Sequence, residues 1–191
     1  MTRAPELKRG EVTIRPLRRA DEREWLDLRA QNRVWLRPWE ATIPGARPQS
    51  VSFAGYVRGE QRAHRRRTGI PMVIEVGGAL VGRVALTRIE WGAERGGSIG
   101  YWVSEAVAGR GIAPTAVALL AEHGFAVGLH RIEIAVRPEN AASLRVVQKL
   151  HFREEGLRRS YLFIDGEWRD HRIFALTESE ARVGPFWYGG S

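Results

Sequence analysis

Apolar and polar residues alternate from Glu11 to Leu17, with Val12, Ile14 and Pro16 turned to one side, and this two-residue period predicts a strand. After Asp21 the period lengthens. Trp25, Leu26 and Leu28 follow an acidic start, which predicts a helix from Asp21 to Ala30. Pro38, Pro44 and Pro48 interrupt the next stretch and predict a loop. A second helix is expected from Ser50 to about Arg67, ending in a basic run. Ile70 to Val76 and Ala79 to Ile89 are apolar segments joined at Gly77-Gly78, a hairpin signal. Gly97 to Ser104 alternates again, with Ile99, Tyr101 and Val103 on one side. Ala113 to Leu129 carries Ala, Val and Leu at helical spacing. Arg131 to Val136 turns Ile132, Ile134 and Val136 to one face. Ala141 to Leu150 predicts a short helix, and Phe152 onward predicts two strands around Asp165-Gly166. The tail from Ala181 to Ser191 is expected to be irregular and partly mobile.

A strand, two helices, a hairpin, then strand–helix–strand–helix–strand–strand is a mixed order that argues against a doubly wound nucleotide-binding fold. No internal repeat or long linker interrupts it. The 191 residues fit one domain, 1–191, large enough to bury a core without staples.

The absence of cysteine excludes disulfides, thiolate metal sites and a cysteine nucleophile. It suits a reducing compartment, so a cytoplasmic location is expected. No apolar run is long enough to span a membrane, and Met1 to Gly10 is polar, so neither membrane insertion nor secretion is expected. The net charge of +8 comes almost entirely from arginine. Such a charge attracts phosphate-bearing partners. A coding sequence rich in G and C accounts for most single arginines as well. With no RNA-binding signature present, direct nucleic-acid binding is not expected. The run Arg62 to Arg67 reads first as a solvated helix end and second as a contact with RNA or an acidic surface.

Val103 to Thr115 reads V-S-E-A-V-A-G-R-G-I-A-P-T, a strand entering a glycine-rich turn that opens a helix. The glycines permit close backbone approach to a ligand, and free amides in a first helical turn favour phosphate. Pro114 fits that first turn, where it needs no N–H bond. Alone, Gly109-Arg110-Gly111 is equally an ordinary turn. One strand later comes Arg137-Pro138-Glu139-Asn140-Ala141-Ala142-Ser143. Asn140 is placed to cap the following helix, or to bond through its amide to an extended ligand between separated strands. Ser143 shares a helical face with Val147 and Leu150, where its hydroxyl needs a partner, its own helix backbone included.

Together the A-G-R-G-I-A turn and R-P-E-N-A-A-S-L-R-V-V-Q-K-L-H-F resemble the GNAT superfamily of acetyl-CoA-dependent N-acetyltransferases. The second motif is most similar to the RimJ/RimL branch, which acetylates N-termini of ribosomal proteins, and Asn32 to Glu40 (N-R-V-W-L-R-P-W-E) adds to the likeness. The resemblance implies an α/β fold of the α+β kind. Its centre is a mixed, mostly antiparallel sheet of about seven strands, with a splayed strand pair and flanking helices. It implies acetyl-CoA as cosubstrate, held by Tyr101, Trp102, Val103, Gly109, Arg110, Gly111, Ile112, Ala113, Pro114, Thr115, Asn140 and Ser143. It also implies direct transfer in a ternary complex, with the Val103 N–H facing the thioester oxygen and Ser143 near the leaving sulfur. The acceptor is expected to be a protein N-terminus, in some cases ribosomal and with a small first residue, met by Trp35, Arg37 and Trp39. Two positions depart from the pattern: Ala108 stands where Gln or Arg is usual, and His151 where glycine is common.

No base is assigned. Glu75, Glu105, Glu154 and Glu155 read as surface carboxylates, and His64, His123 and His171 as structural or exposed. No spacing fits a metal site. A small-molecule amine as acceptor, and an acetyl-CoA-binding module without strong catalysis, remain as alternatives.

Overall fold

The computed structural model describes residues 5–45 and 51–183. Pro48, the expected helix start at Ser50 and the tail beyond Val183 therefore lie outside the described residues.

Eight strands form one sheet, in the order β1-β2-β3-β4-β5-β6-β8-β7. They are β1 (Leu7–Arg9), β2 (Val12–Arg15), β3 (Ile70–Val76), β4 (Ala79–Glu90), β5 (Gly96–Val103), β6 (Arg131–Val136), β7 (Arg153–Ile164) and β8 (Glu167–Thr177). The helices are α1 (Glu22–Gln31), α2 (Arg33–Leu36), α3 (Phe53–Arg65), α4 (Ile112–Ala126), α5 (Ala141–Lys149) and α6 (Glu178–Val183). Every pairing is antiparallel except β5 with β6.

The expected mixed, mostly antiparallel sheet of about seven strands is present, with eight strands among the described residues. The additional β1 pairs Leu7 with Ile14 across a tight turn at Gly10. Its three residues, L-K-R, contain one apolar side chain and so carry no period. The expected loop after α1 contains α2, whose Leu36 is buried. The part of the tail that is described, up to Val183, is helical rather than irregular, and its Ala181 is buried.

α4 lies across one face of the sheet, where Ala116, Val117, Leu120 and Ala121 pack on Ile14, Ile74, Leu86, Ile132 and Ile134. On the other face α1 and α3 enclose a smaller core of Trp25, Leu28, Phe53, Val57 and Val73. The α4 sequence is apolar nearly all round, as a helix buried on most sides requires.

β5 and β6 pair only at Gly96, Gly97 and Ser98 with Arg131, Ile132 and Glu133. Each then continues beside its other neighbour: Val103 still faces Gly82 of β4, and Val136 still faces Arg172 of β8. The sheet therefore opens into a wedge between the C-terminal halves of β5 and β6.

Candidate functional site

A cavity of about 350 Å³ borders this wedge, bounded by residues 101–103 of β5, the turn before α4, the first turns of α4 and α5, and residues Trp35, Leu36 and Trp39. Its chemistry starts from strand alternation. The Ser104 N–H donates to Val81 O at 2.7 Å across β4. Val103, one residue earlier, therefore turns its N–H and carbonyl away from β4 and toward the wedge, and so does Tyr101. The Val103 carbonyl accepts the indole N–H of Trp35 at 3.2 Å. Side chains alternate as well. Tyr101 and Val103 pack on the α4 side, whereas Trp102 packs on the α1 side, 5.8 Å from Trp25 and beneath Arg29.

Gly109 and Gly111 hold φ of 82° and 80°, and a Cβ built on either meets nothing within 4 Å. Backbone conformation, not crowding, selects glycine here. Gly111 precedes the 15-residue α4, which has no side-chain cap. The N–H groups of Ile112 and Ala113 have no backbone acceptor among the described residues, and Pro114 has none to donate. The Thr115 N–H and hydroxyl both donate to Gly111 O, at 3.2 and 2.9 Å. An uncapped helix start with two free amides and an open glycine cradle is built to receive an anion. Ile112, Ala113 and Pro114 border the cavity; Arg110 and Thr115 do not. Arg110 is exposed and lies 3.8 Å from Glu11.

Asn140 caps α5: its Oδ1 accepts the Ser143 N–H at 3.0 Å. The cap uses only the carbonyl end. The amide nitrogen has no acceptor among the described residues, so capping and ligand contact are compatible. Ser143 is half-buried and borders the cavity. So does Tyr101, whose buried hydroxyl lies close to that of Ser143. Burial pushes this phenol up to about 12, with the adjoining Ser143 hydroxyl acting weakly the other way.

Trp35 and Trp39 both reach the cavity, whereas Arg37 points to the β7–β8 turn and bonds Asp165 at 2.7 Å. Two residues passed over in the sequence hold this region together. Arg137 donates to Pro38 O at 2.6 Å and to Glu139 at 3.1 Å, with its guanidinium 5.4 Å from the Trp39 ring centre. Asn32 accepts the Ser104 hydroxyl at 3.1 Å and the Glu105 N–H at 2.9 Å, and donates to Leu28 O at 2.9 Å. Arg137 thereby ties the second motif to the tryptophan segment, and Asn32 ties the end of β5 to α1. The available signal for Asn32 was its place at the head of the tryptophan-rich stretch N-R-V-W-L-R-P-W-E. No spacing in the chain links residues 38 and 137.

Of the carboxylates considered as bases, Glu75 bonds Arg15, Glu154 bonds Arg172, Glu155 bonds Arg131, and Glu105 is exposed. His171 is buried and its Nδ1 donates to Arg169 O at 3.0 Å; burial holds its pKa below the usual value. Arg62, Arg65 and Arg66 are exposed at the end of α3, and Arg67 stacks on Trp91. Among the described residues no acidic, histidine or cysteine cluster could hold a metal, and no helix is long and apolar enough to cross a membrane.

A family model described as "Acetyltransferase (GNAT) domain" matches residues 11–153. The chain is 31% identical over 182 residues to the "Probable N-acetyltransferase YjcK" of Bacillus subtilis, covering 91% of this chain and 98% of that protein. It is 24% identical over 180 residues to the "[Ribosomal protein uS5]-alanine N-acetyltransferase" of Escherichia coli, covering 91% of each. Among solved structures, "Mycobacterium smegmatis RimJ in complex with CoA-disulfide" superposes with a TM-score of 0.86 at 37% identity, covering 95% of this chain and 90% of that one.

Proposed function

The chain belongs to the GNAT acetyltransferase family, and from that premise we propose that it acetylates the N-terminal α-amine of a protein. It is an N-acetyltransferase that uses acetyl-CoA. The acceptor proposed is a protein beginning with a small residue, ribosomal proteins included, in keeping with the name of the uS5-alanine N-acetyltransferase to which the chain is similar.

The observation that carries this reading is the conjunction of the strand wedge with the uncapped start of α4. The free amides of Ile112 and Ala113, beside Gly109, Arg110 and Gly111, receive the pyrophosphate. Tyr101, Trp102 and Val103 offer a strand edge to the extended arm of the cosubstrate, and the Asn140 amide nitrogen donates to it from across the wedge. Pro114 and Thr115 shape the first helical turn, Thr115 through its bonds to Gly111 O. Acetyl-CoA supplies an acetyl group already activated as a thioester. The Val103 N–H, directed into the wedge, donates to the carbonyl oxygen as negative charge grows there. Ser143, at the start of α5 and on the cavity wall, offers its hydroxyl to the departing sulfur in this reading.

The acceptor amine must be neutral to attack. With an α-amino pKa of about 8, water suffices to take its proton near neutrality. Trp35 and Trp39 give the acceptor rigid surfaces at the mouth of the cavity. Arg37 does not line the cavity; its bond to Asp165 holds it at the β7–β8 turn, so it meets only an acceptor that extends beyond the cavity.

Gly111→Asp tests the cofactor assignment. It forces a side chain into the left-handed region and sets a carboxylate where phosphate belongs. Calorimetry should show acetyl-CoA affinity falling at least about tenfold, about 1.4 kcal/mol, with circular dichroism unchanged. Undiminished affinity would move the cofactor site elsewhere.

A further inference from the structure

From Ile99 onward β5 has no strand beside it on the wedge side among the described residues, and β4 alone pairs with it on the other. A strand end with one free edge keeps its peptide planes in place only where other contacts fix them. Here the corner between α1 and α2 supplies those contacts. Asn32 is 3% exposed and turns its side chain onto the two residues that follow Val103. Its Oδ1 accepts the Ser104 hydroxyl at 3.1 Å and the Glu105 N–H at 2.9 Å, and its Nδ2 donates to Leu28 O at 2.9 Å. The Glu105 N–H can only donate and the Leu28 carbonyl can only accept, so the amide has one orientation, with its oxygen toward β5. From the same corner the Trp35 indole holds Val103 O at 3.2 Å, while the Ser104 N–H is tied to Val81 O at 2.7 Å. Residues 103–105 are thus gripped from β4 and from the α1–α2 corner together. A buried amide costs more than an apolar side chain of its size unless its ends are bonded. What it adds is not bulk but a fixed position for the chain just after Val103.

We propose that Asn32 is a positioning residue for the transfer: by holding Ser104 and Glu105 it keeps the Val103 N–H aimed at the thioester oxygen. The inference rests on the acetyl-transfer reading of the cavity. Asn32 does not line that cavity and touches neither the thioester nor the amine. It acts through the backbone alone. Negative charge grows on the thioester oxygen as the amine attacks, and a donor stabilises that charge only if it is already in line with the oxygen. A misplacement on the order of 1 Å costs up to about a hundredfold in rate.

Asn32→Ala removes the grip, and Ser104→Ala removes one of the two bonds to the Asn32 oxygen with little loss of bulk. Measured well below the melting temperature of each variant, kcat should fall about ten- to hundredfold in Asn32→Ala and severalfold in Ser104→Ala. Calorimetric affinity for acetyl-CoA should stay within about twofold, since the pyrophosphate is held at the start of α4. Ser104→Ala should cost little more once residue 32 is alanine, because both changes act through one contact. Infrared difference spectra of bound acetyl-CoA, isotope-labelled in the acetyl carbonyl, give a readout that a loss of stability does not move. In the wild-type complex the carbonyl band should lie at lower frequency than in free acetyl-CoA, as a hydrogen bond from Val103 requires, and Asn32→Ala should lose most of that shift. An unchanged kcat and band in Asn32→Ala would overturn the proposal, as would acetyl-CoA affinity falling as far as kcat. If Asn32→Ala does not fold, Ser104→Ala decides by the same readouts. A wild type that binds acetyl-CoA without any carbonyl shift would overturn the Val103 assignment and this one with it. A wild type that neither binds nor transfers would overturn the reading of the cavity itself.

Discussion

At the end of α5, His151 adopts φ of 56°, and the Phe152 N–H bonds back to Val147 O at 2.9 Å. This is the left-handed helix ending that favours glycine. It supplies the physical reason that His151 stands out at a position where glycine is common. A side chain pays about 1–2 kcal/mol in that conformation, offset in part by the greater freedom of glycine in the unfolded chain. His151→Gly should therefore stabilise the protein by about 1 kcal/mol, read as a higher denaturant midpoint with an unchanged slope. Asn140 allows a sharper separation. Asn140→Asp keeps an oxygen to cap α5 but replaces the amide donor with negative charge, so stability should hold while acetyl-CoA affinity drops. Asn140→Ala should lower both, with about 1 kcal/mol of stability lost with the cap. Equal affinity in the Asp variant and the wild type would reduce Asn140 to a cap alone.

Among elements, strands and helices with a clear period were legible. The two hairpins are marked by Gly77-Gly78 and Asp165-Gly166, and all four of those residues have positive φ in the structure, as tight turns demand. Two features were not legible: β1 is too short to show a period, and α2 is a single turn inside a proline-rich stretch. The wedge was expected only through the family resemblance, as a splayed strand pair; it depends on where β6 stops pairing with β5, which no local pattern encodes. The site residues on the glycine turn and at Asn140 follow from chain-local chemistry. The Arg137 latch on Pro38 and Trp39 depends on two segments about a hundred positions apart. Removing it with Arg137→Ala should free the tryptophan segment. The acceptor KM should rise severalfold while acetyl-CoA affinity, measured by calorimetry, stays within about twofold. Matched losses in both would show that Arg137 supports the cofactor site rather than the acceptor segment.

At the scale of the whole molecule, the most strongly buried ion pair among the described residues joins β2 to the turn before α1. Arg15 bonds Asp21 at 2.8 and 3.1 Å and Glu75 at 2.7 Å, with the Arg15 and Asp21 side chains 7% and 10% exposed. Burial alone pushes the Asp21 carboxyl upward; its bonds to Arg15 and to the Arg18 N–H outweigh this and leave its pKa below the usual value. A carboxylate depressed on folding stabilises the native state above its unfolded pKa of about 4, and that stability is lost as pH falls through the folded value. His171, also depressed but by burial, starts to oppose folding earlier, below about 6.5, where the unfolded chain takes up a proton that the folded one refuses. Thermal melts from neutral to acid pH should therefore show a shallow decline below about 6.5 and a steep one below about 4. Asp21→Asn should cost about 3 kcal/mol at neutral pH and flatten the steep phase.

The account as a whole turns on what the cavity acetylates. The direct measurement follows acetyl transfer by mass spectrometry from acetyl-CoA to two short peptides of matched sequence. One has a free N-terminal alanine and no lysine, and the other a blocked N-terminus and a single lysine. The account predicts a gain of one acetyl group on the first peptide, at an initial rate far above that of the second and above that of small amines such as polyamines. Preference for the lysine or for a small amine would contradict the N-terminal assignment, and no transfer to any amine would contradict acetyl transfer by this chain.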